Sequence, residues 1–425
     1  MKRLLFFMLT FSAMGHVCGQ SLEECRRMAR ENYPEIRRYE LIEQTRDYDL
    51  SNAARAWLPQ IRLTGQATFQ SSSTTLPERF QPFLELGGIE MPGMDKDQYM
   101  VAVEVSQNIW DGGLSKAQRE MARAESVQEQ KRLEVSLHAM QQKVDELYFG
   151  ILLMDEQAEL LKASAEVLES NLERMKTYRK NGVATGADVD AVEAELLTAR
   201  QSLEQVLYSR DSYRRMLELF IARPLSDNPL TRPEIPEIKS RSSAHPRLSL
   251  LDAMADKVEA QRRALNVSLM PNVSAFAQGY YGYPGMDMFK SMMDDECSFN
   301  ALVGVRMSWN IGAFYTRGNN VAKLNAARQE IELQRELVLF DTDMELTRQE
   351  GEIERLRKAV KDDERIVELR RSVRKAAESG FENGTIDTTD LLRKINEERM
   401  AELGRSAHEI ELLQAFYRLK TTLNQ

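Results

Sequence analysis

Apolar and polar positions alternate with a strict period of two between Gln60 and Gln70. Ile61, Leu63, Gly65, Ala67 and Phe69 hold one parity; Gln60, Arg62, Thr64, Gln66, Thr68 and Gln70 hold the other. That spacing predicts a strand with one apolar face. Tyr99, Val101, Val103, Val105 and Ile109 alternate with Glu104, Ser106 and Asn108 in a second strand, and 273–281 and 299–311 supply two more with weaker alternation. Each pair of strands is joined by a long segment, 71–98 or 283–298, where Gly, Pro, Ser and Met accumulate and a loop is expected. After each pair comes a helical pattern of unusual length. Leu114 to Lys180 would run on the order of 100 Å at about 1.5 Å per residue. Leu137, Met140, Val144, Leu147, Ile151, Met154, Ala158, Leu161 and Ala165 recur by threes and fours, which is the seam of a coiled coil. The pattern breaks at 182–186 and resumes over Asp188 to Phe220, predicting a helical hairpin. Shorter helices are expected at 22–55 and 247–268.

The chain reads as two copies of one plan. Pro34 and Pro59 recur as Pro246 and Pro271, an offset of 212 residues, while Asn108-Ile109, Gly182 and Asp188 recur as Asn310-Ile311, Gly384 and Asp390 at an offset of 202. The heptad positions Leu137, Val144, Ile151, Ala158 and Ala165 fall on Leu339, Leu346, Ile353, Val360 and Val367 at the same offset, an internal-repeat signal. The ten-residue difference lies in one loop. The expected organisation is a first repeat at 20–222 with its tip near 182–188, a proline-rich linker at 223–245, and a second repeat at 246–425 with its tip near 384–390. All 12 prolines fall within 34–92 or 224–284, leaving two long proline-free stretches for the helices.

Residues 1–19 read as a secretory signal peptide: Lys2 and Arg3, an apolar run from Leu4 to Met14, then small residues. Losing them removes two cations and no acid, taking the net charge from −9 to −11. That balance argues against a nucleic-acid partner, because phosphate binding needs clustered cations. Cys18 raises the question of a lipidated N-terminus, but Val17 stands where lipoprotein signals place Gly or Ala. Cys25 and Cys297 fall in unrelated elements, so no disulfide is expected.

An amphipathic strand of about ten residues can cross an outer membrane at a tilt. It cannot do so with an open edge, since unpaired backbone groups in lipid cost several kcal/mol each. Four strands do not close a barrel. Eight, from two chains, leave an interior filled by side chains, whereas twelve, from three, leave a channel, so the pattern leans towards a trimer. Trp57, Trp110 and Trp309 all fall where strands meet helices, either as an aromatic girdle at the membrane interface or as plugs between sheet and helices. Tyr280, Tyr281 and Tyr283 cluster at the other end of the third strand.

Leu58-Pro59-Gln60-Ile61, the run from Val105 to Gly113 (VSQNIWDGG) and the tip from Gly182 to Val189 (GVATGADV), in duplicate and in this order, resemble the TolC family of outer-membrane efflux proteins across essentially the whole mature chain. The resemblance implies an α+β membrane protein: a homotrimer with a twelve-stranded, porin-like β-barrel in the outer membrane, continued by an α-helical barrel through the periplasm. No enzymatic activity and no cofactor are expected. The implied role is a passive exit duct for substrates delivered by an inner-membrane efflux transporter and a periplasmic adaptor. Gly182 and Gly384 would allow tight turns at the periplasmic entrance, with Val183 and Thr385 meeting the adaptor. Asp188 and Asp390 match positions near the constriction, where six carboxylates in a trimer would raise one another's pKa and favour cations; alternatively each caps the returning helix. Phe381 and Ile386 stand where the family's best-known closed entrance has Tyr and Arg, so that closing network does not carry over. Gly312-Ala313-Phe314 likewise replaces the Asp-Gly-Gly turn of the first half.

Met286, Met288, Met292 and Met293, with Asp294, Asp295, Glu296 and Cys297, have the thioethers that suit a soft metal, but a local apolar loop is the better account of them in a chain of 21 Met. His138 and His408 have no His partner at helical spacing and His245 ends the linker, so no metal is assigned. No phosphate loop or nucleophile elbow is present to suggest catalysis. A different class remains open: an exported soluble coiled-coil scaffold or periplasmic adaptor, which the heptads alone would permit.

Overall fold

A computed structural model of the chain describes residues 21–226, 229–240 and 245–425. The expected signal peptide, with Cys18, lies outside them, as do parts of the expected linker. The elements run α1 (Leu22–Asn32), a 3₁₀ turn (Pro34–Arg37), α2 (Arg38–Arg55), β1 (Gln60–Phe69), α3 (Gln81–Leu86), β2 (Asp97–Trp110), α4 (Leu114–Lys180) and α5 (Gly186–Ile221). The order then repeats as α6 (Pro246–Val267), β3 (Asn272–Tyr283), α7 (Met288–Met293), β4 (Ser298–Ser308), α8 (Ala313–Glu382) and α9 (Thr388–Leu423). The single helix expected at 22–55 is broken at Tyr33, whose extended backbone precedes Pro34, because proline disfavours helical geometry in the residue before it.

The described residues form two compact units: those within 39–130 and 250–334, and those within 21–38, 131–249 and 335–425. The first holds one antiparallel sheet in the order β1-β2-β3-β4. Its register sets Ile61 opposite Val105 and Leu63 opposite Val103, then Val103 opposite Gly279 and Val105 opposite Ala277, and finally Ala277 opposite Val303 and Ala275 opposite Val305. The loops between paired strands carry the short helices α3 and α7, where the sequence predicts only loop. β4 ends at Ser308, three residues short of the expected Ile311, because Ala313 N–H bonds Asn310 C=O at 3.2 Å and turns the chain into α8. The first half makes the same exit through Gly112 and Gly113, both at positive φ. A Cβ on Gly112 would come within 2.6 Å of the Met270 Cβ, so that turn demands glycine twice over. Asp111 accepts from the N–H groups of Gly113 at 2.9 Å and Ser115 at 2.8 Å. Burial pushes its carboxyl up, but these bonds and that of the Ser115 hydroxyl win and hold it below the ordinary value.

The second unit is helical. The expected seam is buried on α4 at Leu137, Met140, Val144, Ile151, Ala158, Leu161 and Ala165. Ala165, Leu168, Leu172 and Met175 pack with Val189, Val192, Leu196 and Ala199 of α5. In the second hairpin Leu346, Ile353 and Leu356 pack with Phe416, Leu419 and Leu423 of α9. Leu339, the repeat partner of Leu137, is instead 44% exposed. One buried ion pair ties the N-terminal helix to the bundle: Arg26 Nε and Nη2 each donate to Asp145 of α4 at 2.6 Å. Thr421 of α9 reaches the same carboxylate at 3.3 Å, and the Arg26 guanidinium lies 5.4 Å from the Tyr417 ring centroid. Cys25 beside it is buried, and that burial pushes its thiol up to about 12, so it stays a thiol; Cys297 is exposed and neither is bonded.

The histidines also meet partners that their spacing along the chain conceals. His138 stacks edge-on against His245 with ring centroids 5.1 Å apart, and His408 Nδ1 sits 2.6 Å from Asp363. Burial, then the proximity of His138 and Arg247, pushes His245 down from 6.5 to about 4. A base held neutral in the fold loses stability to the unfolded chain as pH falls from 6.5 towards 4, and has no effect above.

Two expectations follow for this unit. Asp145→Ala leaves the buried Arg26 guanidinium only its bond to the exposed Glu23 at 2.9 Å and should lower unfolding stability by about 3 kcal/mol, read from denaturant unfolding of the helical signal in detergent. His245→Gln should flatten the loss of thermal stability between pH 6.5 and 4, which a pH series of melting curves measures directly.

Candidate functional site: the two faces of the sheet and the hairpin tips

Register decides which side chains share a face. One face collects Ile61, Leu63, Ala67 and Phe69 of β1, Tyr99 to Val105 at odd positions of β2, Ala275, Ala277 and Tyr281 of β3, and Phe299, Val303, Val305 and Met307 of β4. It carries no charged residue between the strand ends. Ile61 is 75% exposed, Val303 80% and Phe299 74%. Water would charge about 25 cal/mol for each Å² of such a surface, so a monomeric soluble protein does not keep a patch of this extent open. The opposite face presents Arg62, Thr64, Gln66, Glu104, Ser106, Gln278, Asn300 and Arg306.

Trp57, Trp110 and Trp309 sit at the helix ends of the strands, 38%, 46% and 50% exposed. Trp309 is half plug, half surface: its indole N–H donates to Leu269 C=O at 2.9 Å while the ring meets Phe314 edge-on. At the other end of β3 the tyrosines divide. Tyr281 lies on the apolar face, Tyr280 on the polar one, and Tyr283 is buried, donating to Ser291 C=O at 2.8 Å and accepting from Asp95 N–H at 2.8 Å. Tyr283 therefore packs the loops, with Met94 and Met292 against it, rather than joining a girdle. This cluster also places Met292 in an apolar setting.

The helical unit positions the tips. Gly182 and Gly384 both take positive φ, at +74° and +69°, with no atom near enough to crowd an added Cβ, so their glycine character serves the turn alone. Val183 is 76% exposed and Thr385 is exposed beside its turn. Asp188 completes a capping box with Thr185, accepting from its N–H at 2.8 Å and hydroxyl at 2.7 Å. Those bonds hold the Asp188 carboxyl below its ordinary value within one chain. Asp390 does not cap α9. Asp387 does, accepting from Asp390 N–H at 2.8 Å, and the Asp390 carboxylate pairs with Arg393 at 2.7 Å. The two tips are neighbours: Tyr178 and Phe381 stack with centroids 6.0 Å apart, and the Thr388 hydroxyl donates to Met175 Sδ at 3.9 Å. Among the described residues no cluster of three His, Cys, Asp or Glu offers a metal site.

A profile described as outer membrane efflux protein matches residues 26–222. Residues 26–222 are similar to this family. The fold is also shared with solved structures over 95% of this chain: VceC of Vibrio cholerae (14% identity, TM-score 0.68, 95% of that chain), CmeC of Campylobacter jejuni (11%, 0.66, 86%) and the open state of MtrE of Neisseria gonorrhoeae (15%, 0.67, 88%). No curated protein matches the chain. That family is one of transport ducts and not of enzymes, and the Campylobacter jejuni and Neisseria gonorrhoeae proteins that share the fold are outer membrane channels. No helix among the described residues is long and apolar enough to cross a membrane. The apolar sheet face is the surface suited to lipid.

Val303 stands mid-strand on that face and Gln66 on the other. A lysine at Val303 should cost about 2–4 kcal/mol of folding stability in bilayers, whereas Gln66→Lys should cost less than about 1 kcal/mol, as urea titrations of vesicle-inserted protein would measure.

Proposed function

We propose that three copies of this chain form the passive exit duct of a tripartite efflux or secretion system. The observation that carries this is the sheet: one face that is largely apolar and exposed, without charge between the strand ends, and two outer edges, on β1 and β4, with no further strand partner among the described residues. Joining β4 of one copy to β1 of the next satisfies both edges without an isologous contact, and three such joins give a twelve-stranded wall with room for water inside. The channels of Campylobacter jejuni and Neisseria gonorrhoeae that share the fold are outer membrane channels, which agrees with this reading.

The hairpin tips are the periplasmic entrance in this reading. Exposed Val183 and Thr385 meet a periplasmic adaptor, and an inner-membrane transporter supplies the energy. Asp188 is already committed to its capping box, so Asp390, held only by exposed Arg393, is the freer carboxylate to act at a constriction. Export by the signal at 1–19 and the order of the repeats at 20–222 and 246–425 complete the reading. Trp57, Trp110 and Trp309 mark the periplasmic membrane interface.

The test is the native mass of protein extracted from outer membranes by detergent, measured by light scattering with the micelle subtracted. Three chain masses, from material that resists carbonate, are expected, with adaptor cross-links then forming at Val183→Cys and Thr385→Cys. A carbonate-released monomer or dimer would sink the duct and favour a soluble coiled-coil scaffold.

A further inference from the structure

Strand charges are few, and the register gathers them. Asp97 opens β2 at the loop end; the others, Arg62, Glu104 and Arg306, all lie on the polar face. Glu104 stands directly opposite Arg62, yet its carboxylate is taken by Arg306, which reaches it across β3 with Nη1 at 3.1 Å and Nη2 at 3.4 Å. The guanidinium of Arg306 is braced on the way by the Phe276 ring, 4.4 Å from its centroid. Phe276 in turn packs against Gly304, where a Cβ would stand 3.1 Å from the ring. Arg306 remains 50% exposed, and Arg62 is exposed with no carboxylate partner among the described residues.

The polar face thus holds two fixed cations against one anion. We propose that, within the twelve-stranded duct on which this inference rests, Arg62, Glu104 and Arg306 of three chains form a net cationic belt that selects for anionic solutes. A charged ring in a water-filled pore bounded by low-dielectric walls raises the local concentration of counter-ions, and at physiological salt its field reaches about 8 Å. The belt is opposite in sign to the acidic residues at the tips. Arg306 is the braced member, and Arg62 contributes the uncompensated charge.

Purified protein in planar bilayers of uncharged lipid, under a KCl gradient, separates the possibilities. Arg62→Gln and Arg306→Gln should each shift the reversal potential in the cation-favouring direction, lowering the chloride-to-potassium permeability ratio by about two- to fivefold. Glu104→Gln should shift it the opposite way. Persisting conductance steps with reversal potentials unchanged in all three would overturn the belt while leaving the duct intact. Absence of any conductance from the unaltered protein would overturn the duct and the belt together. Arg62 has no carboxylate partner among the described residues, so its variant keeps the test decisive even where replacing Arg306 impairs assembly.

Discussion

An unpaired strand edge in a hydrocarbon environment is the constraint on which this molecule turns. Roughly ten backbone groups on each outer strand would lack partners, at several kcal/mol apiece. β1 and β4 are both such edges, and the face they border carries no charge between the strand ends. Neither property could persist alone. An apolar face without closure would aggregate, and a closed sheet with polar residues outside would not enter lipid.

The helical unit answers a different problem, that of keeping two very long hairpins in fixed relation. It does so by apolar packing along each seam, with one buried ion pair where α1, α4 and α9 meet. The tips show how far the two copies have diverged. In the first, Asp188 belongs to the cap; in the second, Asp387 has that role and Asp390 is left with a surface arginine. Equivalent positions in the two halves therefore hold carboxylates of unequal freedom.

Much of this was legible in the chain. The strands were, because an exposed apolar face preserves a period of two that no burial from behind disturbs, and the α4 boundaries were, because glycines flank a long proline-free heptad pattern. The helices α3 and α7 were not, since six residues carry less than two turns of pattern. Pairing Asp188 with Asp390 by repeat offset hid the second cap, although Asp387-Thr388-Thr389-Asp390 has the same cap spacing as Thr185 to Asp188. Contacts between residues far apart in sequence, His138 with His245 and Glu104 with Arg306, left no signal at all. They depend on bundle packing and on the register of β2, β3 and β4, neither of which periodicity specifies.

The strand order has a genetic corollary. In the proposed trimer, where every seam joins a β4 to a neighbour's β1, there is no redundant contact: one copy with a damaged edge spoils the two seams it shares. Where intact and damaged copies are made in equal amounts and mix freely, only about one ring in eight is wholly intact. Lesions confined to β1 or β4 would then behave as dominant alleles, whereas those that prevent a chain from folding at all, and so from joining a ring, would be recessive.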